Sequence, residues 1–550
     1  MIKKLQKNET LAFFFVLGIL AIFLYKDLGN TFYQQDEWMV IGQFFGGGFN
    51  TFVDKYSVFQ LLAGQQRILG TVVSTLFFNI LAFNIPAIAL FSLILHVLNS
   101  ILVYFLAKKI SSNSTVAFFA GIFFLVASAG QQAVLWFAAS NTALPSAFFT
   151  LLSLITYFSF LENNKKSYLF ISFLFGLIAC LFKESAFILF LLFPVLFLLI
   201  KKASIITTAK LHSYIIAYVV FMIVARIIGL LSTATDTTNA FNAYNFPTPF
   251  RIFSHLISYP IEGIAQIFID PNILFGISGI FFKSVSTDSN FIRTTGAEII
   301  SVICSAIIIF LVGWVAVKKR KFRSAILFGL SFTIIQFIPF VVLTKGSAYL
   351  ESRYYYPSII GASIIFGVLF EYLKEIFYSS KSFIARSILA TLLFFLVMLL
   401  FKQIFIVKDN VDRNVLLGSQ TKTFLSQLSQ NIPAIPAKPV FYVTGNKDFY
   451  LPKLPLPLQQ GPGYTLMVWY YSSGNIPGKL LREGFLWGIY EEGYKEAEGK
   501  GFGYFWKKQS LEEAIKINNI KKEQLVGVNY LGNEQKIINI TEELKKELYK

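Results

Sequence analysis

The chain has 550 residues, 48 Lys and Arg against 30 Asp and Glu, and a formal net charge of +18, yet it is 55% hydrophobic and only 14% charged. Soluble domains carry roughly a quarter charged residues, so a soluble enzyme is excluded, and the mean hydropathy of +0.62 fits a polytopic helical membrane protein. Nucleic acid is excluded by position: the cations come as short clusters between apolar runs (Lys108-Lys109, Lys165-Lys166, Lys201-Lys202, Lys318 to Arg323), the pattern of cytoplasmic loops.

The first apolar run, within "MIKKLQKNETLAFFFVLGILAIFLYKD", is long and lacks a small-residue cleavage site, so it is expected to be a retained transmembrane helix with Lys3, Lys4 and Lys7 on the cytoplasmic side. "TFYQQDEWMV" (31–40) follows, with adjacent acids at Asp36 and Glu37 and Trp38 beside them. Two readings stay open there. The acids are solvated loop charges with Trp38 as an interfacial anchor, or one of them is a general base held near the membrane surface.

Segment 66–84, "QRILGTVVSTLFFNILAFN", is apolar but carries Arg67, Thr71, Thr75 and Asn79 at four-residue intervals, which predicts a helix lying at the interface. Spans are expected at about 10–26, 85–107, 114–131, 143–161, 167–182, 185–200, 210–231, 295–317, 324–343, 357–373 and 387–407. These eleven place every strong basic cluster inside and the C-terminal region outside. Segment 249–270, in the outer loop 232–294, predicts a second amphipathic element with a break at Pro260. Cys180 and Cys304 fall in apolar runs and predict two buried thiols without a disulfide. His96, His212 and His255 show no zinc spacing.

Beyond residue 407 the composition changes. Pro433, Pro436 and Pro439 precede strand-like runs at 440–445, 465–471 and 502–506 and a helical run at 510–517. The expected division is a transmembrane module, 1–407, and a small extracytoplasmic α/β domain, 408–550.

Four cations are expected at the outer edge of the bundle: Lys183 in "LFKESAF", Arg226 in "IVARIIGLL", Arg353 in "YLESRYYYP", and Arg67. Pairing of Lys183 with Glu184 or of Arg353 with Glu351 is the alternative to a shared ligand. A carboxylate with several cations at headgroup depth fits a lipid phosphate held by guanidinium and ammonium groups. The chemistry using both is inverting glycosyl transfer from a polyprenyl-phosphate sugar, with the carboxylate as base and the cations stabilising the departing phosphate. "QQDEW" lacks a DxD spacing, so no cofactor is expected to be required, with a divalent metal left open.

"QDEW", "QQRILG", "HVLNSILVYFLAKKI" (96–110), "KES" (183–185) and "SRYYYP" (352–357), in that order, resemble the GT-C superfamily of integral membrane glycosyltransferases, nearest its protein O-mannosyltransferase and aminoarabinose transferase branch. The resemblance covers roughly residues 1–375. It implies a GT-C-like fold, Asp36 as base and Glu37 as its helper. It also implies Lys183, Glu184 and Arg353 around the lipid phosphate and sugar, with Tyr354 and Tyr355 lining the pocket. Arg226 and Arg67 are added from charge placement alone, and His96 is expected to make a helix-packing hydrogen bond. Gln34-Gln35 stand where some relatives carry another acid. The acceptor is expected to be a lipid, a glycan or a protein. The competing readings are a flippase or transporter of a lipid-linked sugar, a ligase or oligosaccharyltransferase using a pyrophosphate-linked glycan, and a membrane anchor for the 408–550 domain.

Overall fold

The computed structural model describes residues 2–34, 36–47, 67–81, 83–233, 249–281, 289–341, 343, 349–449, 455–459, 461–471, 476–488 and 490–549. Gln35 and the middle of the expected outer loop, 234–248, lie outside the described residues. Two compact units emerge: Met1–Lys26, Val58–Thr71 and Leu90–Val411 form the first, and Asp27–Ser57, Val72–Ala89 and Asp412–Lys550 the second.

The first unit is helical. It holds α1 (Ile2–Tyr25), and its other helices in chain order follow two that belong partly or wholly to the second unit, α2 (Asp36–Gly47) and α3 (Ile68–Ile80). Then come α4 (Ile85–Ser111), α5 (Ser114–Val126), α6 (Phe137–Asn163), α7 (Lys166–Phe182), α8 (Ile188–Lys201), α9 (Ile205–Leu211) and α10 (Ser213–Thr233). They are followed by α11 (Pro249–Phe268), α12 (Pro271–Phe281), α13 (Ser289–Lys318), α14 (Arg323–Ile335), α15 (Tyr356–Ser379) and α16 (Phe383–Asn431). Each of the eleven expected segments carries a helix. By length and composition, seven helices among the described residues suffice to cross a membrane, or nine if each of two bent pairs is one span.

The helices start and stop for local reasons. Asn113 caps α5, its side chain accepting from the Val116 amide at 2.9 Å. Asn164, left-handed at φ 55°, ends α6 and lets α7 return beside it. Ser153 and Ser172 then bond across that hairpin, each hydroxyl donating to the other residue's carbonyl at 2.5 and 2.8 Å. Small hydroxyl residues are apt here because hydrocarbon solvent supplies no drive for apolar side chains to meet. At the centre, His96 on α4 bonds Tyr356 Oη on α15 (2.9 Å) and the Leu125 carbonyl (3.0 Å). Asn99 donates to the same Tyr356 oxygen at 3.1 Å. His96 is thus a packing residue.

Three expectations about the membrane helices require correction. The break expected at Pro260 does not occur: α11 runs through it, and the chain turns at Ile269-Asp270, bending by 98° into α12. The reason is the cap: the Asp270 carboxylate accepts from the Asn272 amide at 2.9 Å and opens a new helix at Pro271. The amphipathic element expected over 249–270 turns polar residues inward: Glu262 and Gln266 are buried. The helix of the last expected span does not stop near 407 but continues to Asn431, because no Pro or Gly interrupts it before Gly418.

The second unit contains a five-stranded sheet of order β2-β3-β1-β4-β5: β1 (Val440–Gly445), β2 (Gly493–Ala497), β3 (Lys500–Phe505), β4 (Leu525–Leu531) and β5 (Lys536–Asn539). Strand β1 is central and parallel to both neighbours, with Val440 opposite Gly503 and Leu525, and both edges are antiparallel. Helices α18 (Lys508–Asn518) and α19 (Thr541–Leu548) carry Leu511 and Leu544 into a core with Val440, Phe505, Ile520 and Leu525. The run 465–471, expected as a strand, is instead in α17 (Pro462–Tyr470). Gly461 takes a left-handed turn (φ 59°) and Pro462 starts the helix. Burial then overrides the β-propensity of its aromatic residues.

Candidate functional site

The site is assembled in the first unit where three chain segments meet. Helix α7 ends at Phe182, and Lys183 leaves it in extended conformation (φ −151°, ψ 117°). Helix α3 begins at Ile68, directly after Arg67. Gly70 lets α3 approach that turn: a Cβ there would stand 2.6 Å from Thr142 Cγ2 and 3.1 Å from the Phe182 carbonyl oxygen. Only a residue without a side chain fits this crossing.

Arg67 and Glu184 then form a two-pronged pair, Nε to Oε2 at 2.8 Å and Nη2 to Oε1 at 3.1 Å. The expected alternative, Glu184 with Lys183, is therefore corrected: neighbouring residues on one extended turn diverge, and Arg67 takes the carboxylate.

The third segment is "SRYYYP". It is seated on the turn before α6: Ser352 donates to the Ala129 carbonyl at 2.7 Å, and the Arg353 amide meets Gln132 Oε1 at 3.3 Å. The Arg353 guanidinium lies 4.3 Å from the Trp136 ring centroid and 5.0 Å from that of Tyr354, and it pairs with Glu351 at 2.7 Å. Lys183 Nζ is 5.6 Å from the same Tyr354 ring. Tyr354 is thus shared by two cations. Tyr355 is placed differently. It is buried, and its hydroxyl donates to Gln266 at 2.6 Å while accepting from the Leu350 amide.

Electrostatics single out Lys183. It is 4% exposed and has no ion-pair partner among the described residues, whereas Arg67 and Arg353 each have a carboxylate. Burial, with the Arg67 and Arg353 charges nearby and only Glu184 opposing, brings its ammonium down to about 7. Among the described residues, three cations face two carboxylates there, so a protonated Lys183 leaves that set net positive.

Asp36 and Glu37 lie in the other unit, in the first turn of α2. Glu37 is buried at 1% exposure, accepts from the Gln34 amide at 3.3 Å, and with burial pushes the Tyr33 phenol up. Asp36 is half-buried. Trp38 is no interfacial anchor but a buried residue with Phe32, Tyr33, Phe83 and Trp469 around it, ring centroids 5.8 to 6.3 Å away. Arg226 falls within α10, and its side chain lies outside what is described. Among the described residues no three His, Cys, Asp or Glu side chains converge as a metal site would require.

Trp136, Gln132 and Glu351 complete the cluster. Only Glu351 had a signal in the sequence, its place two residues before Arg353. Trp136 sits inside an apolar stretch like any core aromatic.

Fold and site together define a multi-pass membrane protein with a basic, aromatic-walled cluster at one end of its helical bundle. Residues 68–228 match the family of dolichyl-phosphate-mannose-protein mannosyltransferases. This stretch, under a third of the chain, holds Lys183 and Glu184 of the cluster and is similar to that family. Among solved structures, the chain is similar to ArnT from Cupriavidus metallidurans in a crystal structure with undecaprenyl phosphate, at 13% identity and a TM-score of 0.38 over 85% of each chain. No curated protein sequence matches it.

Proposed function

We propose that the chain is an inverting glycosyltransferase that moves a sugar from a polyprenyl-phosphate donor to a lipid, glycan or protein acceptor on the extracytoplasmic face of the cytoplasmic membrane. One observation carries this reading: a buried lysine with no ion-pair partner among the described residues, under the influence of two arginines and beside an aromatic ring. That arrangement suits a phosphate ester carried on a lipid. The family description, which names a dolichyl-phosphate sugar donor, supports it.

In the proposed step the acceptor hydroxyl oxygen bonds to the anomeric carbon while the bond from that carbon to the phosphate oxygen breaks. The electron pair leaves on the lipid phosphate, where Lys183 and Arg353 stabilise the added charge. Asp36 takes the acceptor proton, and Glu37 holds the acid-bearing turn. One displacement inverts the anomeric centre. The reading asks for no cofactor, since the cations supply the charge stabilisation.

The orientation belongs to the same proposal. Lys165-Lys166 and Lys183 stand at opposite ends of α7, about 25 Å apart at 1.5 Å per residue. The ion pairs Lys109–Glu162 and Lys321–Glu375 also join helix ends remote from Arg353. A cytoplasmic N-terminus and an extracytoplasmic C-terminal domain agree with that distribution.

The test uses the full chain in proteoliposomes with a polyprenyl-phosphate sugar labelled in the sugar. Release of lipid phosphate with the label on an acceptor is expected, lost in Asp36→Asn and Lys183→Met at equal protein levels. Label that crosses the bilayer with its phosphate bond intact would overturn transfer in favour of transport.

A further inference from the structure

The bundle end remote from Lys183 carries a groove that transfer leaves unused. It has a volume of about 450 Å³ and lies between α4 and α6, walled by Leu102, Phe105, Leu152 and Ile155, with Lys108 and Lys109 at its mouth. The spacing creates it. Leu102, Phe105 and Lys109 fall on one stripe of α4, and Leu152 and Ile155 on one stripe of α6. The apolar wall descends about 9 Å below Lys108, six residues of helix.

The two lysines differ. Lys109 is paired with Glu162 at 2.6 Å. Lys108 has no carboxylate partner among the described residues. Its Nζ has only the Thr10 and Tyr104 hydroxyls, both at 3.4 Å, and the Tyr104 ring at 5.5 Å. Neither neighbour neutralises it. A helix C-terminus favours a cation, but that explains its sign and not the groove beneath it.

We propose that this groove binds an anionic phospholipid of the adjoining leaflet, its phosphate on Lys108 and Lys109 and an acyl chain against Leu102, Phe105, Leu152 and Ile155. Charge complementarity chooses the occupant. A cationic mouth over an apolar wall at a helix end meets an anionic headgroup and its hydrocarbon at the right depths, while a zwitterionic lipid gains less from the lysines. Bound there, the lipid bridges α4 and α6, the two helices that carry Asn99 and Trp136-Phe137 towards the middle and far end of the bundle.

The experiment reconstitutes the full chain in nanodiscs with phosphatidylglycerol or phosphatidylcholine bearing a diazirine in the acyl chain. After photolysis, the cross-linked peptides are mapped by mass spectrometry. Phosphatidylglycerol is expected to label the peptides containing 102–109 and 152–155 at least threefold more than phosphatidylcholine. Lys108→Gln, at a half-buried position, is expected to remove that preference. Leu152→Trp, which fills the groove and keeps both lysines, is expected to lower labelling by either lipid. Equal labelling of the wild type by the two lipids, or an unchanged preference in Lys108→Gln, overturns the proposal. Displacement of phosphatidylglycerol by equimolar undecaprenyl phosphate overturns the phospholipid assignment.

Discussion

Arg67 holds Glu184 in a fork of two hydrogen bonds at 2.8 and 3.1 Å and so clips the start of α3 to the turn that presents Lys183. Both side chains are partly exposed, 45% and 36%. Exposed pairs contribute about 0.2–1 kcal/mol, so Glu184→Gln is expected to leave the melting temperature in detergent nearly unchanged. Its effect is expected on the donor: a several-fold rise in donor KM with kcat within twofold. A large drop in melting temperature with unchanged KM would make the pair structural only.

Lys183 sets a pH dependence. Its ammonium is brought down to about 7 chiefly by burial, so the group is charged below that pH and neutral above it. A phosphate site needs the charged form, and kcat/KM for the lipid donor is therefore expected to fall as pH rises through about 7. Lys183→Met is expected to lose on the order of 100-fold in activity and to flatten that limb. Lys183→Arg, which stays protonated, is expected to keep part of the activity and to carry it to higher pH.

The two acids of the first loop should separate. Asp36→Asn is expected to lower kcat by about 100-fold or more with a normal melting curve. Glu37 is buried and accepts the Gln34 amide, so Glu37→Gln is expected to lower stability by about 1–3 kcal/mol. Thermal unfolding alongside turnover distinguishes the two.

Helix α2 depends on α17 for its placement. Gly42 faces the Tyr464 ring so closely that a Cβ would meet two ring carbons at 2.8 Å, and Trp38 reaches Trp469 at 6.3 Å. Gly42→Leu is expected to push α2 off α17 and to reduce kcat at least tenfold. Protease resistance of the bundle is expected to be unchanged, which limited proteolysis checks.

His96→Leu removes a buried group that serves Tyr356 and the Leu125 carbonyl. An expected loss of about 1–3 kcal/mol follows from leaving those atoms unpaired, read as a lower melting temperature. The pH profile of transfer is expected to keep its shape, since His96 packs helices and touches no reacting group.

The helices were legible because a bilayer admits few ways to satisfy a backbone, and apolar length announces the spans. Element ends were less so. Pro260 reads as a break, yet α11 passes through it and the turn falls at Asp270. A proline in a membrane helix is tolerated when neighbours take up the freed carbonyls. In the C-terminal domain, the runs at 440–445 and 502–506 are strands as read, whereas 465–471 is helical because its Gly-Pro start and its burial outweigh its composition.

The sequence by itself determined the class of the protein, the presence of a basic cluster and the residue types able to hold a phosphate. Charge and hydropathy are one-dimensional properties, legible without a fold. Only the tertiary structure decided the partners: that Glu184 goes to Arg67 and not to Lys183, that Trp136 and Tyr354 flank Arg353, and that Lys183 is buried with no ion-pair partner among the described residues. Those facts depend on which helix ends meet, and segments as far apart in the chain as 67, 136, 183 and 353 meet only when the bundle closes.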